Sequence, residues 1–210
     1  MEEEKGTKTR ENLANLWKKE EILMSQIVSD AFIKVPRERF LPEKLRELAY
    51  TEEDIRLDSS SIMLNIKTII TILEEAKIEK NNLILQIGSV TGYEEALLTL
   101  MGAKVDVIEP RIEHIQRASA NLGTIYPKNE APQYYRRLRD THKHYDRVIT
   151  FGTISSMDEK IIELVKKGIL VLSVGEKHLL MRMEIKETEN PVLKFHGIKW
   201  MPLIGDEIFS

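Results

Sequence analysis

The chain has 210 residues, 42% of them apolar and 31% charged, with a formal charge of −3 at neutral pH and no cysteine. That length suits one domain with its own core and is short for two. The near-neutral balance argues against a protein that coats nucleic acid electrostatically, and without cysteine there is no disulfide, zinc–thiolate site, iron–sulfur cluster or cysteine nucleophile.

The first ten residues are polar and read as a frayed end. They are acidic where an export signal would be basic and then apolar, and no apolar run approaches the roughly 18–20 residues that cross a bilayer. A cytoplasmic protein with no membrane partner is therefore expected. From Glu11 onward Leu13, Leu16, Trp17, Ile22, Leu23, Ile27, Val28, Ala31 and Phe32 recur at three- and four-residue spacing, a helical stripe bent near 18–21. Val35-Pro36 ends it, and 43–50 reads as a short helix. Residues 1–50 thus form a helical cap on an α/β domain over 51–210, the two making one structural unit.

Strand and helix then alternate. Leu83-Ile84-Leu85-Gln86-Ile87, bounded by Asn81-Asn82 and Gly88, reads as a buried strand. Residues 93–101 read as a helix, 105–108 as a strand, 112–122 as a helix, 147–150 as a strand, 158–165 as a helix and 169–174 as a strand. This order calls for a mostly parallel sheet covered on both faces. Beyond Gly175, the extended segments 179–186 and 192–200 predict an antiparallel hairpin at the C-terminal end of the sheet.

The most informative stretch is Gln86-Ile87-Gly88-Ser89-Val90-Thr91-Gly92-Tyr93. A strand runs into a glycine turn and then a helix, so a ligand can approach backbone at the strand's carboxyl end. The next strand ends in Glu109, whose carboxylate can accept bonds from ribose hydroxyls. The competing reading is a tight turn and a solvated acid.

These motifs resemble the protein-L-isoaspartate O-methyltransferase family. Val35-Pro36-Arg37-Glu38-Arg39-Phe40-Leu41-Pro42 looks like its N-terminal signature, 87–93 its S-adenosylmethionine loop, and Val107-Ile108-Glu109 its ribose-binding strand end. Tyr145-Asp146-Arg147-Val148-Ile149 looks like its fourth core strand, and Trp200-Met201-Pro202-Leu203-Ile204-Gly205 its C-terminal segment. The resemblance implies a Rossmann-like class I methyltransferase fold and S-adenosylmethionine as cofactor, held by Gln86, Gly88, Ser89, Val90, Gly92, Tyr93 and Glu109. It implies an isoaspartyl protein or peptide as acceptor, methylated to begin its repair, and no metal.

The departures fall on the chemistry. Aligned from Gly88, Leu64 occupies the position of the family's catalytic hydroxyl, and Ile66 replaces its proline. Ser61 is the nearest substitute hydroxyl. Without the family's glycines and proline, the apolar stripe Ile62, Ile66, Ile69, Leu73 and Ala76 predicts a helix from an N-cap at Asp58 or Ser59. Val90 stands at a glycine position and is strained if its φ is positive. The Asp-Gly turn expected to cover adenine is not recognisable. In its place Tyr134-Tyr135-Arg136-Arg137-Leu138-Arg139-Asp140-Thr141-His142-Lys143-His144-Tyr145 interleaves bases and aromatics, which suits RNA less well than a solvated edge. His142 and His144 lack a third metal ligand, and His114 reads as a surface residue. Three functions stay open: an isoaspartyl methyltransferase, a non-catalytic relative that serves as a binding protein, and a methyltransferase acting on RNA.

Overall fold

A computed structural model describes residues 2–124, 131–186, 190–198, 201–204 and 206–209. Helices α1 (Glu2–Lys19) and α2 (Gln26–Lys34) are separated where Glu21 takes φ +58°, and α2 stops at Val35 before Pro36. The N-terminal residues do not fray as expected. The Arg10 side chain is 3% exposed: its Nε donates to the Ile33 carbonyl at 2.6 Å and its Nη1 to the Tyr50 hydroxyl at 2.9 Å, with Glu38 3.2 Å away. Residues 43–50 form only a 3-10 turn, Glu43–Leu48.

The predicted helix start at 58–59 is also overturned. Strands β1 (Ile55–Arg56) and β2 (Ile62–Met63) pair antiparallel, and α3 spans Ile66–Ala76. At the ribbon's tip, Asp58 Oδ1 accepts from the Ser60 N–H at 2.9 Å and from its hydroxyl at 3.1 Å. Side-chain bonds of this type give the backbone an alternative to helix. Asn65 caps α3 instead, its Oδ1 accepting from the Thr68 N–H at 2.9 Å. Asp54 fixes Asn65 in turn through Oδ1, which accepts from its N–H and its amide. Ile62 therefore belongs to the ribbon, while Ile66, Ile69, Leu73 and Ala76 form the buried face of α3.

Seven strands make one sheet. In chain order they are β3 (Leu83–Ile87), β4 (Lys104–Ile108), β5 (Gln133–Tyr135), β6 (Arg147–Ile154), β7 (Gly168–Val174), β8 (Leu179–Ile185) and β9 (Val192–Ile198); in space the order is β5-β4-β3-β6-β7-β8-β9. The first five are parallel, and β8 and β9 form the predicted antiparallel hairpin. Residues 187–189, between these strands, lie outside the described residues. Helices α4 (Tyr93–Leu100), α5 (Ile112–Gly123) and α6 (Glu159–Glu163) connect the strands. Edge strand β5, three residues long, has no visible sequence period.

Alternation along the central strands sends residues to opposite cores. Ile84, Ile149, Ile169 and Val171 join the main cluster with α3, α4 and the N-terminal helices. Leu85, Val148, Leu170 and Leu172 join a second cluster with Ile161 of α6 and Ile204. From β3 the chain builds outward to β5 and then returns to place β6 on the other side of β3. That reversal opens a crevice at the strands' carboxyl ends.

Candidate functional site

A small hollow, open to solvent, lies at this reversal. Its walls are Gly88, Ser89 and Val90 after β3, Glu109 and Arg111 after β4, Phe151 and Gly152 of β6, Ser60 and Ile62 of the ribbon, and residues 202–204. The 202–204 segment sits there because β6 runs on beyond its last partner on β3, Thr150, and Leu203 pairs with Thr153. Thr153 donates its N–H to the Pro202 carbonyl and accepts from the Ile204 N–H, both at 2.8 Å. Gly152 permits this approach, since a Cβ there would lie 2.9 Å from the Pro202 carbonyl.

Glu109 is fully buried. Its Oε2 accepts from the Ser89 N–H at 2.9 Å, and its Oε1 accepts from the Arg111 N–H at 3.0 Å and from Arg111 Nε at 3.3 Å. His114 Nδ1 stands 3.5 Å from Oε1, an electrostatic contact longer than a good hydrogen bond. Burial pushes the carboxyl up, but His114 and the Ser89 and Arg111 N–H groups outweigh it and hold Glu109 below the usual carboxylate range.

His114 is therefore no surface residue: it is fully buried, and its Nε2 lies 2.9 Å from Ser61 Oγ. The Glu109 carboxylate favours the proton on Nδ1, so Nε2 accepts from the Ser61 hydroxyl. Arg111 Nη1 also donates to the Ser60 carbonyl at 3.2 Å, and Arg117 Nη2 pairs with Asp58 Oδ2 at 2.9 Å. Arg111, His114 and Arg117 recur every three residues, so one side of α5 grips the ribbon tip.

Of the residues expected from sequence, the fold brings Gly88, Ser89, Val90 and Glu109 to the hollow. Val90 has no positive φ among the described residues, so the conditional strain does not arise. Gln86 is fully buried behind the turn, its amide donating to the Gly88 carbonyl at 2.9 Å. Gly92 faces α5, where a Cβ would stand 3.0 Å from the Ala118 carbonyl. Tyr93 is buried in the main cluster edge-on to Phe40, and its ring lies beneath the Arg37 guanidinium. Ser61 does not line the hollow, although its neighbours Ser60 and Ile62 do. Leu64 is 2% exposed in the main cluster, and its carbonyl accepts from Arg37 Nη2. Arg111, Phe151, Gly152 and the contact made by His114 were not legible from local pattern.

The hollow suits an S-adenosyl nucleoside. Gly88, at φ +88°, makes the turn, and its bare face is covered by the flexible end of Ile204, whose Cδ1 lies 2.8 Å from where a Cβ would stand. The Ser89 hydroxyl is buried and interacts with the Glu95 and Tyr134 side chains, whereas Glu109 Oε2 keeps acceptor capacity beyond its one bond to the Ser89 N–H. The basic–aromatic stretch, in contrast, is engaged with the sheet edge. Tyr145 and Lys143 both donate to Asp106 Oδ2, and Arg136 donates to the Pro110 carbonyl. Asp140, the acid nearest the missing adenine turn, accepts from the Arg137 N–H. Among the described residues no cluster of three His, Asp or Glu side chains suits a metal ion, and no helix is long and apolar enough to cross a membrane.

Comparison with known proteins agrees with this layout. A sequence model of the protein-L-isoaspartate(D-aspartate) O-methyltransferase family matches residues 8–207. A protein-L-isoaspartate O-methyltransferase of Thermococcus sibiricus is 27% identical over 198 residues, covering 90% of each chain. One from Methanopyrus kandleri is 24% identical over 97% of this chain and 94% of its own. A Plasmodium falciparum structure described as this type of methyltransferase, in complex with S-adenosyl-L-homocysteine, superposes with a TM-score of 0.77 at 12% identity, over 92% of this chain and 97% of that one.

Proposed function

We infer this protein's function from one premise, that the chain belongs to the protein-L-isoaspartate(D-aspartate) O-methyltransferase family: it methylates the free α-carboxylate of isoaspartyl residues. The observation that carries this reading is the hollow at the strand reversal, where Glu109, the Gly88 turn and the Ser60–Ile62 side of the ribbon share one wall system. S-adenosylmethionine, when bound, supplies an electrophilic methyl on a sulfonium. The chain's task is then alignment and exclusion of water rather than strong acid–base chemistry.

Gly88, Ser89 and Val90 would receive the cofactor at the turn, with Glu109 accepting from its ribose. Gln86, through the Gly88 carbonyl, sets the turn's shape, and Gly92 and Tyr93 set the helix behind it. The ribbon side, with Ser60 and Ile62, would face the acceptor. Ser61 acts on that wall as a positioning residue through His114, since its hydroxyl is already bonded there. The acceptors are isoaspartyl-bearing proteins, and we place the reaction in the cytoplasm, the location that goes with repair of intracellular proteins.

Calorimetric titration with S-adenosylhomocysteine, followed by transfer of a labelled methyl group to an isoaspartyl peptide, tests this function. Saturable binding and base-labile methyl ester are expected. Heatless titration at millimolar ligand would remove both methyltransferase readings, and binding with transfer to RNA alone would replace the acceptor.

A further inference from the structure

Arg111 holds two partners at once. Its Nε donates to Glu109 Oε1 at 3.3 Å and its Nη1 to the Ser60 carbonyl at 3.2 Å, while its side chain stays 33% exposed at the rim of the hollow. Among the described lining residues it alone carries a positive charge. Its guanidinium therefore occupies an acceptor position on the acid that a ribose would use, and ties that acid to the ribbon on the acceptor side.

The acceptor is itself a carboxylate, and the family's hydroxyl position holds buried Leu64, which offers no donor. Ser61 cannot replace it without leaving His114. A guanidinium matches a carboxylate in charge and in planar two-donor geometry.

We propose that Arg111 serves two successive partners: it caps Glu109 in the free protein, and once a nucleoside takes that acid it receives the acceptor's carboxylate at the rim. This rests on the methyltransferase reading above. The Glu109–Arg111 Nε contact is long at 3.3 Å and Arg111 is one-third exposed, so the guanidinium can turn outward while Glu109 keeps its bonds from the Ser89 and Arg111 N–H groups. The Arg111 backbone N–H remains on Oε1 throughout, which keeps Glu109 charged and in place. Cofactor and acceptor then bind with positive coupling, because the first ligand releases the group that holds the second.

The proposal gives Arg111→Gln opposite effects on two affinities, which damage to the fold would not. S-adenosylhomocysteine is expected to bind about 2- to 5-fold tighter by calorimetry, since Nε no longer competes. With S-adenosylhomocysteine present, the unmodified protein is expected to bind an isoaspartyl peptide about 10-fold better than the same peptide bearing the neutral isoasparaginyl residue. Arg111→Gln is expected to lose that preference and Arg111→Lys to keep part of it. Retained preference in Arg111→Gln, or S-adenosylhomocysteine binding no tighter than before, overturns the proposal while leaving the methyltransferase reading standing. No binding of S-adenosylhomocysteine by the unmodified protein removes the reading and the proposal together.

Discussion

Leu64 shows how a single side chain redirects a site. Its position is fixed by Arg37, which donates to its carbonyl, and its side chain packs in the main core at 2% exposure. Restoring a hydroxyl there does not simply restore chemistry. Leu64→Ser removes buried methyl groups and places a polar group among apolar neighbours, a combined loss of about 3 kcal/mol. Urea unfolding checks this: a cost below about 1 kcal/mol would mean that residue 64 faces the hollow rather than the core. The family resemblance singled out this position, but the direction of the side chain depends on a contact with Arg37, 27 residues away.

At the scale of elements, the ribbon β1–β2 is small and is held largely from outside. Only two residue pairs, Ile55 with Met63 and Arg56 with Ile62, register its strands, too few for stability without support. The support comes from α5, through Ser61–His114, Asp58–Arg117 and the Ser60 carbonyl with Arg111. The Ser60 N–H holds the Asp58 carboxyl well below its usual range, so this grip persists into acid. His114→Ala removes the buried member of the set. Amide hydrogen exchange over residues 55–63 is expected to accelerate at least 10-fold, with β3 and β6 unaffected. Uniform acceleration across the sheet would instead assign His114 a general packing role. Sequence pattern predicted a helix here because apolar spacing continued upstream to Ile62. It did not reveal that Asp58 would fold back on Ser60, nor that a helix 50 residues later would complete the ribbon's bonding.

At the scale of the molecule, buried acids on α4 tilt the pH dependence of stability. Burial first, and then the Glu94 carboxylate, push Glu95 up to about 7 from an ordinary value of 4.5; burial also pushes Glu94 up. The folded chain therefore keeps a proton that the unfolded chain releases, and stability is expected to fall as pH rises from about 4.5 to about 7. Glu109 and Asp58 act in the other direction: both lie below their ordinary values, so their contribution is lost as pH falls below about 4. Glu95→Gln keeps the shape and removes the titration. Thermal melting at successive pH values is expected to show a shallower decline in the variant between pH 4.5 and 7, and an equal decline in both proteins would place the titration elsewhere.

The sequence by itself determined the alternating layout, the C-terminal hairpin, the Gly88 turn and the acid at Glu109, because periodicity and turn chemistry are local and survive in one dimension. It misjudged residues 1–10, whose polar character concealed Arg10 reaching the Ile33 carbonyl, and it placed His114 on the surface. Tertiary structure alone decided that Gln86, Gly92 and Tyr93 stand behind the turn while Arg111, Phe151 and residues 202–204 complete the hollow. The reason is physical. A strand reversal and the pairing of Leu203 with Thr153 of β6 join segments more than 100 residues apart, and no local spacing records which side chains then meet.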